Sequence, residues 1–241
     1  MDRQQLLARL SGRLGAKTNK GGEMGIGAWE GRPQNNELLL IAIPHTGLTM
    51  FEWAVGLKIL QPPVPFNIIS NRGLPIDRAR CDLVEQARKL NASHIFFLDS
   101  DVIMPPDGLV RLWNRRLPIV TGVYGSKHEA PGVWIEQSKS GQARYAAVSP
   151  QTLEQHQLFS HPDIVVGGGC CLIDMKVFTR LEEPYFEWTQ GEKRNGVSED
   201  FDFFEKTRKA GIPIHVDTTV RCLHGDFSAI SWDGKRQRMQ I

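Results

Sequence analysis

The chain has 241 residues, of which 41% are hydrophobic and 23% charged, and acids and bases nearly balance to a net charge of +2. That size predicts one large domain, or one domain with appendages, with a sizeable core, and the balance gives no mandate for nucleic-acid binding, which usually shows a concentrated basic face. No apolar run approaches the roughly 18 residues that span a bilayer, and the opening Met1-Asp2-Arg3-Gln4-Gln5 lacks the apolar segment of a secretory signal.

The cysteines are Cys81, Cys170, Cys171 and Cys222, with no Cys-x-x-Cys pair among them. The expectation is four reduced thiols in a cytoplasmic protein and no zinc site. Residues 1–36 carry Leu6, Leu7, Leu10 and Leu14 at helical spacing, with Arg3, Arg9 and Arg13 between them, and then turn rich in Gly and Lys. This reads as a basic amphipathic helix on a flexible tether. Such an arm either touches a membrane surface or partner, or is a solvated or packing segment.

From Leu38 to Ile43 a continuous apolar run predicts the first buried strand, ended by Pro44-His45-Thr46-Gly47. Thr49–Leu60 reads as a helix stopped by Pro62 and Pro63, Phe66–Ser70 as a short strand, and Asn71-Arg72-Gly73 as a turn. Between Ile76 and Leu90 the residues Ile76, Ala79, Leu83, Ala87 and Leu90 form one helix face. Arg80 lies among the other positions, where a solvated side chain is the default. The strand His94–Leu98 follows. Strand, helix, strand, helix, strand argues for a mostly parallel sheet covered by helices.

Asp107 is placed to cap a short helix through Arg115. Pro118–Tyr124 is a further strand, and Val133–Gln137 with Ala143–Val148 form a hairpin around Ser138–Gln142. Gln151–Pro162 reads as polar loop, Ile164–Val166 as a lead into Gly167-Gly168-Gly169, Cys170–Ile173 as a strand and Met175–Leu181 as a short helix. Residues 183–197 read as a mobile loop anchored by Tyr185, Phe186 and Trp188. Glu199–Ala210 is a helix that turns Phe201 and Phe204 to the core and stops at Gly211, and Ile214–Val216 is the last strand.

The chemistry concentrates where Ile95-Phe96-Phe97-Leu98 runs into Asp99-Ser100-Asp101. Residues i and i+2 of an extended chain face one way, so both carboxylates can address a single site. In an open α/β sheet the carboxyl end of a strand is the usual ligand crevice. No basic residue lies nearby in sequence, and two anions at the end of a buried strand are costly without a positive partner. A divalent cation with oxygen ligands, Mn²⁺ or Mg²⁺, meets that need and usually brings phosphates with it.

These segments together resemble the GT-A-fold nucleotide-sugar glycosyltransferases of the family 2-like kind, over about residues 38 to 226. Ile41-Ala42-Ile43-Pro44 resembles their first strand and the turn that opens the nucleotide site. Ile76-Asp77-Arg78-Ala79-Arg80 resembles the helix start that puts an arginine near the nucleotide, and Phe96–Asp101 the aspartate-x-aspartate metal motif. Thr121–Tyr124 resembles the strand after it, Gly167–Ile173 the small-residue acceptor loop, Ser198-Glu199-Asp200 the acidic pair beside the acceptor, and His224 the late histidine of the metal site. Departures are His45-Thr46 after Pro44, and Cys81 after Arg80 where asparagine is common.

The resemblance implies a GT-A, Rossmann-like α/β fold: a mostly parallel central sheet with helices on both faces and a small antiparallel region on the acceptor side. It implies an N-terminal arm over 1–36, a transferase domain over 37–226, and a tail over 227–241 in which Lys235 and Arg236 either close as a lid or fray. It implies a metal-dependent transfer of sugar from a nucleoside diphosphate sugar to a hydroxyl acceptor. Asp99, Asp101 and His224 would hold Mn²⁺ or Mg²⁺. Pro44, His45, Arg80, Asp99 and Ser100 would bind the donor, and Gly168 and Gly169 the acceptor. Asp200, with Glu199 beside it, would be the catalytic base if the reaction inverts the anomeric centre, and would only orient the acceptor if it retains it. Either residue is equally at home in the first turn of any helix, where the dipole favours acids. The triple glycine either lets a backbone approach a ligand or is a tight strand connection. Two other readings stand. A nucleotidyltransferase would need a Gly-rich, Lys/Arg-bearing loop after the first strand, and Pro44-His45-Thr46-Gly47 argues against it. An inactive nucleotide- or carbohydrate-binding module is weighed against by the presence of both Asp99 and Asp101.

Overall fold

The computed structural model describes residues 37–126, 130–137, 145–189 and 197–225, together with the backbone of 228–230 and 236–238. The expected arm over 1–36, the hairpin turn at Ser138–Gln142, residues 190–196 of the expected loop and the lid residue Lys235 lie outside the described residues.

In chain order the elements are β1 (Leu39–His45), α1 (Phe51–Ile59), β2 (Phe66–Arg72), α2 (Ile76–Lys89), β3 (His94–Leu98), β4 (Val102–Ile103), α3 (Gly108–Asn114), β5 (Ile119–Val123), β6 (Val133–Glu136) and β7 (Tyr145–Ala147). Then come α4 (Pro150–Glu154), β8 (Leu158–Phe159), β9 (Ile164–Val166), β10 (Cys170–Asp174), a 3-10 helix (Met175–Arg180), α5 (Glu199–Lys209), β11 (His215–Arg221), β12 (Leu223–His224), β13 (Ser228–Ile230) and β14 (Arg236–Arg238).

A seven-stranded sheet runs in the order β2-β1-β3-β10-β5-β11-β8. Only β10 and β8 oppose the direction of the others. Alternation along each strand divides the core in two. Leu40, Ala42, Ile95, Phe97 and Cys171 face α2 and α5, whose Leu83, Val84, Phe203 and Phe204 meet them. Leu39, Ile41, Phe96, Leu98 and Cys170 face α1 and α3, which bring Trp53, Leu109 and Trp113. The fold is therefore the expected α/β architecture, a mostly parallel Rossmann-like sheet with helices on both faces. A separate antiparallel sheet, β7-β6-β9, lies against α5, where Phe201 meets the rings of Trp134 and Tyr145 at 5.0 and 4.7 Å.

Several local expectations are corrected. The stretch 151–162 is not all loop, because Ser149 accepts the Thr152 N–H at 3.1 Å and starts α4, and β8 follows. Asp107 precedes α3 without capping it; its carboxylate takes Arg111 Nη2 at 2.8 Å instead. Phe203 joins Phe204 as a fully buried core residue of α5, and Phe201 packs against the same core partly buried. Strand β11 extends to Arg221, well past Val216. Tyr185 and Phe186 are buried anchors, whereas Trp188 is exposed. All four cysteines are free, and Cys170 and Cys171 face opposite cores as adjacency demands. Among the described residues no helix is long and apolar enough to cross a membrane.

Candidate active site

The parallel strands β1, β3, β5 and β11 all end along one edge of the sheet, and antiparallel β10 begins there. Asp99 is the first residue past β3. Its N–H donates to the Gly169 carbonyl at 3.0 Å, and its own carbonyl accepts from the Trp53 indole at 2.9 Å and the Val102 N–H at 3.0 Å. The turn that carries both aspartates is thus pinned from three elements.

Arg80 supplies the positive charge that no sequence neighbour offers. It is 2% exposed, although an amphipathic helix predicts a solvated side chain there. Nη2 lies 3.0 and 3.2 Å from the two Asp99 oxygens, Nε donates to Glu199 at 3.2 Å, and Nη1 points to the Gly168 carbonyl at 3.4 Å. Arg80 therefore stands behind the crevice with its guanidinium engaged by the protein. Glu199, 5% exposed, pairs with Arg80 Nε through Oε1 at 3.2 Å.

The Arg80 guanidinium faces three carboxylates, Asp99, Glu199 and Asp200. Burial pushes the Asp99 carboxyl above its ordinary range, Arg80 pulls it back, and Asp101 and Asp200 push it up again. Burial likewise raises Glu199 against the pull of Arg80. Burial alone would weaken protonation of Arg80, but Asp99, Glu199 and Asp200 hold it firmly charged.

Strand pairing delivers His224 to Asp101. Strand β12 lies antiparallel to β4 with His224 opposite Val102, and the Gly225 N–H reaches the Asp101 carbonyl at 2.6 Å. The ring Nδ1 sits 2.6 Å from the Gly125 carbonyl and Nε2 sits 3.3 Å from Asp101 Oδ2. A carbonyl only accepts, so Nδ1 carries a proton, and in the neutral form of the ring the Nε2 lone pair faces a carboxylate oxygen. Two acceptors face each other there, which a cation between them or a second proton on the ring resolves. A histidine whose Nδ1–H is fixed by a backbone carbonyl is also the usual form of a metal-ligating imidazole. The pair therefore fits a divalent ion with nitrogen and oxygen ligands. Asp99, the third expected ligand, is turned to Arg80, and among the described residues no three His, Cys, Asp or Glu side chains are grouped as a metal cluster.

Asp200 starts α5. Its Oδ1 accepts the Phe201 N–H at 2.9 Å and the Ser198 hydroxyl, and its Oδ2 accepts the Gly168 N–H at 3.3 Å. The Gly169 N–H donates to the Tyr124 hydroxyl at 2.9 Å. A Cβ on Gly169 would lie 2.7 Å from Asp99 Oδ2, and one on Gly168 3.2 Å from the Arg80 guanidinium. The triple glycine thus permits close approach to the protein's own side chains.

On the other side of the aspartates, His45, Gly47, Thr49, Trp53, Ile68 and Ser100 line a cavity of about 260 Å³. The Thr49 hydroxyl ties it to the turn by donating to the Ser100 carbonyl at 2.8 Å. Pro44 is buried within β1 opposite Asn71 and does not line this cavity. Sequence reading did not single out Thr49 or Trp53, and it gave Tyr124 and Ser198 no role of their own. Thr49, Trp53 and Tyr124 meet backbone groups, which leave no mark on residue type, and Ser198 donates to the Asp200 carboxylate.

No family model matches the chain, and no curated protein matches it. Among solved structures it is similar to A197 from STIV, at 17% identity over 84% of this chain and 94% of that one, with a TM-score of 0.54. This likeness shows a shared fold. UDP-glucose pyrophosphorylase complexed with UDP-glucose overlaps 77% of this chain and 91% of its own at 8% identity and a TM-score of 0.44. The inositol-1-phosphate CTP transferase from T. maritima overlaps 77% of this chain and 69% of its own at 13% identity and a TM-score of 0.38. Overlaps of that size say nothing of what this chain does.

Proposed function

We propose that this chain is a metal-dependent glycosyltransferase that moves a sugar from a nucleoside diphosphate sugar to a hydroxyl acceptor. The observation that carries the reading is the Asp101–His224 pair, 3.3 Å apart at the mouth of the sheet, with the imidazole tautomer fixed by Gly125. Asp101 and His224 would hold Mn²⁺ or Mg²⁺, and Asp99 would join them or take the donor ribose. When bound, the ion offsets charge on the leaving diphosphate as Lewis acid and template.

The chain's own residues do the rest. The cavity at His45 and Ser100 takes the nucleoside, beside the turn that carries Asp99 and Asp101. Gly168 and Gly169 form the backbone wall near the acceptor. Asp200, held by Ser198, Phe201 and Gly168, takes the acceptor hydroxyl proton. The C1–O bond to the diphosphate breaks as C1 bonds the acceptor oxygen, and the nucleoside diphosphate leaves. Arg80 touches none of these atoms; it keeps Asp99 in place. The domain works in the cytoplasm.

Thermal denaturation with UDP, GDP or ADP, with and without Mn²⁺, tests this. A stabilisation that needs both diphosphate and metal, and that Asp101→Ala removes, is expected. No response to any diphosphate, or an unchanged response in the variant, ends the proposal.

One observation favours nucleotidyl transfer as a second reading. The Arg72 guanidinium lies against Gly47 after β1, where a Cβ would be 2.6 Å from its Nε. That places a cation beside the turn where the triphosphate of such an enzyme is held. Release of pyrophosphate from a nucleoside triphosphate and a sugar phosphate would decide for it.

A further inference from the structure

A cavity of about 440 Å³ lies next to the acidic crevice. Tyr124 and Gly125 at the end of β5, Pro150 and Leu153 of α4, Pro131, and Cys222 after β11 form most of its wall. A Cβ built on Gly125 meets nothing within 4 Å, so there is room even on the backbone side. The wall is mainly apolar. Its Thr218 already donates its hydroxyl to the His156 carbonyl, and Arg221 pairs with Glu154 at 3.6 Å with both side chains mostly exposed. A bare sugar ring moved into such a space would give up hydrogen bonds to water with few in return. An alkyl, acyl or aryl group gives up none and gains burial.

The cavity and the crevice share a wall. The Gly125 carbonyl accepts from His224 Nδ1 at 2.6 Å. The Tyr124 ring meets the His224 ring edge-on at 5.4 Å, and its hydroxyl accepts the Gly169 N–H at 2.9 Å. A ligand whose apolar end fills the cavity therefore has its other end beside His224, Gly169 and, through Gly168, Asp200.

We infer that this cavity seats the apolar part of the acceptor, and that the acceptor is an amphiphile with a reactive hydroxyl next to an alkyl, acyl or aryl group. The role as acceptor subsite rests on the glycosyltransferase reading; the apolar chemistry of the cavity stands on its lining alone.

Butyl, hexyl and octyl glucosides, each below its micelle-forming concentration, are titrated into the full chain by calorimetry. Binding tightens about fourfold for each methylene added until the cavity is filled. Ala130→Trp, which pushes an indole into the cavity from a half-buried position on its wall, flattens the series. If that variant does not fold, the series on the unaltered chain decides by itself. A flat series on the unaltered chain, or an unflattened one in a folded Ala130→Trp, overturns the inference. The diphosphate and Mn²⁺ response is read on the same samples. A flat series with that response intact rejects the cavity and keeps the glycosyltransferase reading. A steep series with no response to any diphosphate rejects the glycosyltransferase reading and the acceptor role together.

Discussion

Arg80 and Asp99 form an ion pair, buried on the arginine side and partly open at the carboxylate, in which one guanidinium nitrogen is shared by both carboxylate oxygens at 3.0 and 3.2 Å. Arg80 also holds Glu199, so a single cation from α2 joins the end of β3 to the start of α5. Replacing it with a neutral side chain would strand the buried Glu199 carboxylate and the part-buried Asp99 carboxylate. Arg80→Met is expected to destabilise the fold by about 3–5 kcal/mol, the usual effect of removing one partner of a buried pair. Urea denaturation measures it. Arg80→Lys recovers little, because an ammonium cannot reproduce the planar fork that meets Asp99, Glu199 and Gly168 together.

Gly169 gives a sharper test of the crevice. A Cβ there would stand 2.7 Å from Asp99 Oδ2 and 3.0 Å from the Tyr124 hydroxyl. Both neighbours are held, one by Arg80 and the other by the Gly169 N–H, so neither side chain can swing away freely. Gly169→Ala is expected to fold, with a cost of about 1–3 kcal/mol for overpacking, and to lose the metal-dependent diphosphate response. A wild-type response in the folded variant would show that the position of Asp99 does not matter to donor binding.

The sheet was largely legible because β1 and β3 are short apolar runs bounded by turn residues, and α2 shows a clean helical stripe. The aspartates were legible because two like charges after a buried strand need an explanation. Arg80 was not, because its partners lie 19 and 119 positions away and only the packing of α2 and α5 on one face of the sheet brings them together. His224 was placed with Asp101 by the family resemblance alone, because the two pair across 123 positions through two-residue strands too short to leave a pattern. Helix α4 was hidden for a local reason. Its Ser149-Pro150 start is a recognisable cap and first-turn signal, but five residues carry too little periodicity to stand out.

Asp200→Asn keeps the shape of the residue and removes its basicity. The amide oxygen can still accept from Phe201 and Ser198, so the start of α5 stays in place, while the amide nitrogen that replaces Oδ2 gives up the bond from the Gly168 N–H. Under the proposed mechanism transfer falls about a hundredfold to ten-thousandfold, the range ascribed to general base catalysis, while the diphosphate response is unchanged. Turnover measured beside donor binding separates the two. Undiminished turnover would leave Asp200 only its part in anchoring Gly168.

Asp217 links stability to pH away from the crevice. Its side chain is fully buried on β11. Oδ2 accepts Arg115 Nε at 2.7 Å, and Oδ1 accepts the Thr219 N–H at 3.0 Å and its hydroxyl at 2.6 Å. Burial alone would raise its pKa, but the bonds from Arg115 and Thr219 more than reverse this and hold it below the ordinary range. A lowered folded value means the unfolded chain takes up the proton first. The stabilisation is therefore complete above the unfolded pKa of about 3.9 and is lost as pH falls through the lower folded value. Asp217→Asn is expected to lose about 1.5–3 kcal/mol at neutral pH, the worth of hydrogen bonds to a charged group. The gap to the unaltered chain should stay constant down to about pH 4 and close below it, as the native carboxylate also becomes protonated. Urea midpoints across that range give the comparison. A gap that persists unchanged into the acid range would mean that Asp217 acts through shape and packing, with its charge contributing nothing.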